Sequence, residues 1–249
     1  MNQSLFSSHD ALGRWYHPVQ LTCDTVLRRA RRPESIRSVI RILETLQPDD
    51  YSTYIRAYLA DGLAKFGEDW EYLDITNALL AGSSLIQPSN YLEIGVRRGR
   101  SLGMVASAHV PVNIVGFDMW QKDYAGMSNP GPDFVASELK ALGHTGALEL
   151  VSGDSHQTVP AYLKAHPGLE FDLITVDGDH SDEGALADLE TVIPRLAVGG
   201  ILVFDDVAHP THPNLLKVWR KAIQGAPFQV STSEFTSLGY GVALGLRVS

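Results

Sequence analysis

Asn90-Tyr91-Leu92-Glu93-Ile94-Gly95-Val96-Arg97-Arg98-Gly99-Arg100-Ser101 is a short apolar run closed by an acidic residue, then two glycines four apart and a hydroxyl residue that opens a helical stretch. The order is that of a strand turning tightly into a helix beneath a bound nucleoside. Gly95 lets the chain turn, and Gly99 lets the helix start close to a ligand. A dinucleotide site calls for Gly-x-Gly-x-x-Gly with a pyrophosphate on the helix N-terminus. Here one glycine precedes a three-residue gap and the strand closes with Glu93, a spacing that suits a nucleoside without phosphates better. A strand-turn-helix with purely structural glycines is the alternative, and the rest of the chain must decide.

The 249 residues are 44% hydrophobic and 20% charged, the balance of an ordinary globular protein with one large domain or one domain and an appendage. A formal charge of −9 argues against a nucleic-acid partner, because backbone affinity comes from neutralising phosphates with Lys and Arg. Cys23 is the single cysteine, so no internal disulfide or thiolate metal cluster forms within one chain. That usage suits the cytoplasm. No apolar stretch approaches the ~20 residues that span a bilayer, and a soluble protein without a membrane partner is expected.

Residues 1 to about 24 lack periodicity and read as an arm packing on the body through Trp15 and Tyr16. Arg28, Arg29, Arg31 and Arg32 form a basic cluster, read as a solvated face or a subunit contact. Ile36, Val39, Ile40, Leu43 and Leu46 fall at helical spacing after Pro33, and Ile55, Leu59, Leu63 and Phe66 mark a second helix from about Asp50. A third is expected over Trp70 to Leu80. From Tyr91 onward the pattern changes to apolar runs alternating with helices. Strands are expected at Tyr91 to Ile94, Asn113 to Phe117, Leu148 to Val151, Leu173 to Val176 and Ile201 to Phe204, with a helix from about Asp182. Phe228 to Val230 and Tyr240 to Val248, joined by the short link Ser231 to Ser237, should pair antiparallel. The resulting fold is α/β: a doubly wound, mostly parallel Rossmann-like sheet, residues 88–249, with a C-terminal antiparallel hairpin and an N-terminal arm and helical cap, residues 1–87.

In open α/β sheets ligands bind beyond the carboxyl ends of the strands. Asp118 ends the second strand, where a carboxylate accepts both ribose hydroxyls, with Met119 and Trp120 placed to cover the nucleoside. Asp154 and Ser155 follow the third in a polar turn. Asp177 ends the fourth, and Asp205 and Asp206 end the fifth. Three carboxylates converging at one mouth repel one another and need a counter-ion, for which a hard divalent cation such as Mg2+ is suited. Helix capping by Asp205 and Asp206 is the alternative. His209 and His212, each before a proline, read as pocket wall, and the long segment Trp120 to Pro132, with Tyr124 and Met127, as a substrate cover.

Val176-Asp177-Gly178-Asp179-His180 before a helix, followed by Gly199-Gly200-Ile201-Leu202-Val203-Phe204-Asp205-Asp206, resembles the metal-dependent small-molecule O-methyltransferases. These are class I methyltransferases and include macrolide sugar enzymes and, more distantly, catechol enzymes. The resemblance covers residues 88 to 206. It implies methyl transfer from S-adenosylmethionine to the hydroxyl of a natural-product sugar, polyketide or phenol. Glu93, Gly95, Gly99 and Ser101 then lie at the turn that holds the amino-acid part of the cofactor. Asp118 and Met119 lie at the ribose, and Asp154 and Ser155 at the adenine. Asp177, Asp205 and Asp206 fall on the family's metal ligands. The general base is His180, standing where the catechol branch has lysine, or Asp177, as in the sugar branch. Homo-oligomerisation is the default for such an enzyme. Two rival readings stay open: a nucleoside-dependent enzyme of another class, hydroxylase-like or nicotinamide-dependent, and a domain that binds S-adenosylmethionine without chemistry.

Overall fold

The computed structural model describes residues 19–123 and 126–249. Trp15, Tyr16 and Tyr124, singled out above, lie outside the described residues. The helices are α1 (Cys23–Ala30), α2 (Pro33–Thr45), α3 (Asp50–Phe66), α4 (Ile75–Ile86), α5 (Arg100–Ala108), α6 (Pro132–Ala141), α7 (Ser155–Ala165), α8 (Asp182–Val192) and α9 (Leu215–Gln224). The strands are β1 (Asn90–Ile94), β2 (Asn113–Asp118), β3 (Leu148–Ser152), β4 (Phe171–Val176), β5 (Leu196–Asp205), β6 (Val230–Phe235) and β7 (Val242–Arg247). They form one sheet in the order β3-β2-β1-β4-β5-β7-β6. The first five pair in parallel, and β7 joins β5 and β6 antiparallel.

Alternate residues of the strands serve two cores. Tyr91, Leu173, Ile201, Val203, Val242, Leu244 and Leu246 pack with the helices of the first ninety residues and with α5. Leu92, Ile94, Val115, Phe117, Ile174, Val176, Leu202 and Phe204 pack under α7, α8 and α9. Both faces of the parallel strands are therefore covered, which is why they read as near-continuous apolar runs. The cap helices share the first core: Val26, Ile36, Val39 and Leu43 are all within 1% of full burial.

Four boundaries differ from expectation. α1 begins at Cys23, because Thr22 caps it and Cys23, Val26, Leu27 and Ala30 form a buried stripe around which the arginines face outward. The third helix starts only at Ile75, where the Asp74 carboxylate accepts from the Thr76 and Asn77 amides in a capping box. β5 begins at Leu196, straight after a 3-10 turn at Ile193–Arg195 that contains Pro194. β6 occupies the stretch read as a polar link, since Ser231, Thr232, Ser233 and Glu234 lie at the sheet edge and need pair with one strand only. Among the described residues no helix is long and apolar enough to cross a membrane.

Candidate active site

The sheet reverses direction of winding between β1 and β4, so its ligand crevice opens there, beyond the carboxyl ends of the strands. Ile94 pairs with Phe117 on one side and Val176 on the other, and Val176 pairs with Phe204. The next residues along, Gly95, Asp118, Asp177 and Asp205, therefore stand level along a single rim.

Gly95 takes φ +94, and a Cβ there would lie 1.9 Å from the Asp177 carbonyl oxygen, so the first turn is pressed against the end of β4. Gly99 takes φ +72, and a Cβ on it would come 2.8 Å from Val135 of α6. The room that Gly99 leaves is thus filled by a neighbouring helix. Glu93 is fully buried; one oxygen accepts from the Ser101 hydroxyl at 2.6 Å and the other from the Tyr91 hydroxyl. With its one proton engaged by Glu93, the Tyr91 oxygen accepts from the Thr175 hydroxyl, 2.8 Å away. Burial pushes the Glu93 pKa up to about 8 against those hydrogen bonds. Buried Glu93 and half-buried Ser101 consequently brace the turn from behind.

Asp118 is half-buried at the rim. One oxygen accepts the Arg97 amide at 2.7 Å, and the other accepts the Trp120 amide at 2.5 Å and the Asn129 side chain at 3.3 Å. Each carboxylate oxygen has more than one lone pair, so the group can still accept from a diol. Met119 beside it is 64% exposed. Asp154 caps α7, accepting from the His156 amide at 2.9 Å, and Ser155 opens that helix.

Further along the rim, Asp177, His180 and Asp206 each offer a donor atom within 4.8 Å of the others. His180 Nε2 lies 3.3 Å from Asp177 Oδ1 and 3.3 Å from Asp206 Oδ2. Asp206 holds a left-handed backbone, φ 60, which aspartate tolerates better than most residues and which turns its side chain out of the strand direction. Asp205 is not part of that compact trio, but burial and repulsion from Asp177 and Asp206 raise its pKa well above the usual carboxylate range. Burial, together with Asp177, lifts Asp206 to about 6. Desolvated, mutually repelling carboxylates with an imidazole beside them fit a hard divalent cation, which relieves that repulsion. The His180 ring stacks on His212, centroids 5.0 Å apart, and His212 lies 4.9 Å from His209, which contacts Tyr240 at 4.2 Å. The two proline-flanked histidines thus wall the crevice next to His180.

Three residues escaped sequence reading. Tyr51, in the first turn of α3, is near enough to Asp177 and Asp205 for them to raise its pKa, an effect secondary to its burial. Asp74 lies near Asp205, and its own pKa is raised by burial. Asp49, the N-cap of α3, binds two arginines of the first turn. Their signals, a Tyr and two Asp at helix starts, are those of ordinary caps, and only tertiary contact separates them from the rest.

Residues 92–207 match a family model described as a methyltransferase domain. No curated protein matches the chain in sequence. Among solved structures, the apo form of CalS11, a TDP-rhamnose 3'-O-methyltransferase of calicheamicin biosynthesis, is 25% identical. The match covers 86% of this chain and 93% of that one, with a TM-score of 0.54. TomG, an O-methyltransferase from Streptomyces achromogenes solved with S-adenosylmethionine, is 22% identical over 82% of this chain and 92% of its own, TM-score 0.54. An O-methyltransferase from Bacillus cereus, solved with S-adenosylhomocysteine, is 17% identical over 83% and 95%, TM-score 0.56.

Proposed function

We propose that the protein, whose residues 92–207 match a methyltransferase-domain model, transfers the methyl group of S-adenosylmethionine to a hydroxyl of a small molecule with the help of a divalent metal. The observation that carries the reading is the adjacency of two sets of groups along one rim: the Gly95 turn and Asp118 lie at the ends of β1 and β2, and Asp177, His180, Asp205 and Asp206 at those of the neighbouring β4 and β5.

S-adenosylmethionine, when bound, supplies a methyl already made electrophilic by its sulfonium, and its charge leaves with the methyl. Asp118 accepts from the ribose hydroxyls while holding the Arg97 amide, and so fixes the nucleoside against the first turn. Glu93 and Ser101 keep that turn in shape. Met119 and Trp120 cover the nucleoside, and Asp154 and Ser155 lie at its adenine end. Asp177, Asp205 and Asp206 would hold Mg2+ or a similar ion, which would supply positive charge to ease loss of the acceptor's hydroxyl proton. His180 takes that proton at Nε2, and the carboxylates of Asp177 and Asp206, each 3.3 Å away, stabilise the imidazolium that results. Opposing influences act on His180: burial lowers its pKa and the two carboxylates raise it, with a net rise.

A second reading is favoured by the compactness of the Asp177, His180 and Asp206 group, which makes His180 a ligand and Asp177 the base. His180→Gln separates the two. It leaves metal affinity intact and lowers kcat if His180 is the base, and weakens the metal itself if His180 is a ligand. The acceptor class, a sugar or another hydroxylated natural product, rests on the likeness to CalS11. The overall reading is tested by incubating the protein with labelled S-adenosylmethionine, Mg2+ and a panel of hydroxylated acceptors, and detecting methylated product together with S-adenosylhomocysteine. Binding of a nicotinamide nucleotide in place of S-adenosylmethionine would overturn it.

A further inference from the structure

The first turn is tied to the cap by a set of contacts that the cofactor alone does not explain. Asp49, the N-cap of α3, pairs with Arg98 Nε at 3.4 Å and with Arg100 Nη1 at 3.2 Å. These three side chains are only 10–14% exposed. The Arg98 guanidinium also lies 4.5 Å from the Phe134 ring centroid, and its Nη2 donates to the Gln47 carbonyl at 3.4 Å. The Arg100 guanidinium covers the Tyr51 ring at 4.6 Å. The chain before Asp49 is pinned from a third direction, since the Gln47 amide donates to buried Glu138 of α6 at 2.7 Å.

Both arginines flank Gly99, which has no side chain to hold it and sits in the left-handed region. Removing one partner from a desolvated ion pair leaves the other charge unmatched, so Asp49 has strong leverage over the backbone between Arg98 and Arg100. We propose that Asp49 is a positioning residue for the cofactor: although it belongs to the cap, it holds the turn of residues 95–101 in its binding shape through Arg98 and Arg100. The inference rests on the reading of that turn as the S-adenosylmethionine site. Its consequence is that cap and cofactor site act as one unit, with Tyr51 carried to the crevice by the same arginine that shapes the turn.

Asn caps a helix as well as Asp does, so Asp49→Asn preserves the start of α3 while removing the charge that holds the arginines. Ser52→Ala is the converse control, because it removes the hydroxyl that accepts the Asp49 amide at 2.8 Å and leaves the ion pairs in place. Calorimetric titration of each full-length variant with S-adenosylhomocysteine, at a temperature where circular dichroism shows it folded, reads the effect. Asp49→Asn should weaken binding by about five- to thirtyfold, and Ser52→Ala should leave it unchanged. Arg100→Lys, which keeps a charge but loses the planar fork, should show a smaller loss in the same direction and serves if Asp49→Asn does not fold. Equal affinity in Asp49→Asn and wild type, or equal losses in Asp49→Asn and Ser52→Ala, overturns the inference alone. A wild-type chain that does not bind S-adenosylhomocysteine overturns the cofactor reading and this inference with it.

Discussion

At the scale of single residues, Glu93 shows how position and role part company. The acidic end of β1 was legible as part of a nucleoside turn, but its carboxyl points into the protein, where Tyr91 and Ser101 hold it. Tyr91 and Glu93 are two apart on one strand, so the pairing lies on one face of β1; nothing in the sequence says that Ser101, eight residues on, returns to it. A carboxyl with a pKa of about 8 in the folded chain and an ordinary one near 4.5 when unfolded keeps its proton on folding throughout that window. Unfolding then releases a proton, so stability falls as pH rises from about 4.5 to about 8 and stays lower above it. Glu93→Gln should remove this slope. Thermal unfolding should show the variant level with wild type near pH 4.5 and more stable by roughly 10 °C at pH 8.5; a parallel pH dependence in the two chains would show that Glu93 ionises normally. Asp205 and Asp206, whose pKa values burial also raises, stand at the rim of the site instead. Asp205→Asn and Asp206→Ala should each cut turnover by about 100-fold or more while leaving S-adenosylmethionine affinity within about twofold, as calorimetry beside a turnover assay would report.

At the scale of elements, the parallel strands were legible as apolar runs, several of them ended by acidic residues, because the parallel sheet is buried on both faces and tolerates little else. The rim of the site was legible for the same reason: register places residues after paired strands side by side. Two helices of the cap were legible, but its contacts with the site were not. α1 carries Leu27-Arg28-Arg29-Ala30-Arg31-Arg32, whose charge masks a buried stripe of Cys23, Val26, Leu27 and Ala30. The approach of α3 to the crevice comes from long-range pairing of Asp49 with Arg98 and Arg100, about fifty residues away. Tyr51 belongs to this contribution. Its hydroxyl, held in the protonated form by burial and by nearby carboxylates, can donate to an oxygen of a hydroxylated acceptor. Tyr51→Phe should raise the acceptor KM about threefold to tenfold, with S-adenosylhomocysteine affinity unchanged; unaltered KM and kcat would remove Tyr51 from the acceptor site.

At the scale of the whole molecule, the cap and sheet are joined by one apolar core that contains Val26, Ile36, Leu43 and Leu79 as well as Leu173 and Ile201. Deleting residues 1–48 therefore strips buried surface from the sheet. The truncated chain should unfold at lower temperature than the full chain, and an unchanged midpoint would show that the cap packs loosely. Light scattering of the full chain should give a multiple of 27.2 kDa, as expected for closed symmetric assembly. The most direct test of the account as a whole is turnover under metal control. S-adenosylhomocysteine release and methylated product should be followed with wild type and Asp205→Asn after chelation and again after Mg2+ is returned. The account predicts that chelation abolishes wild-type turnover, that Mg2+ restores it, and that Asp205→Asn stays inactive in both conditions while still binding S-adenosylmethionine. Undiminished turnover in the chelated wild type and in the variant would contradict it.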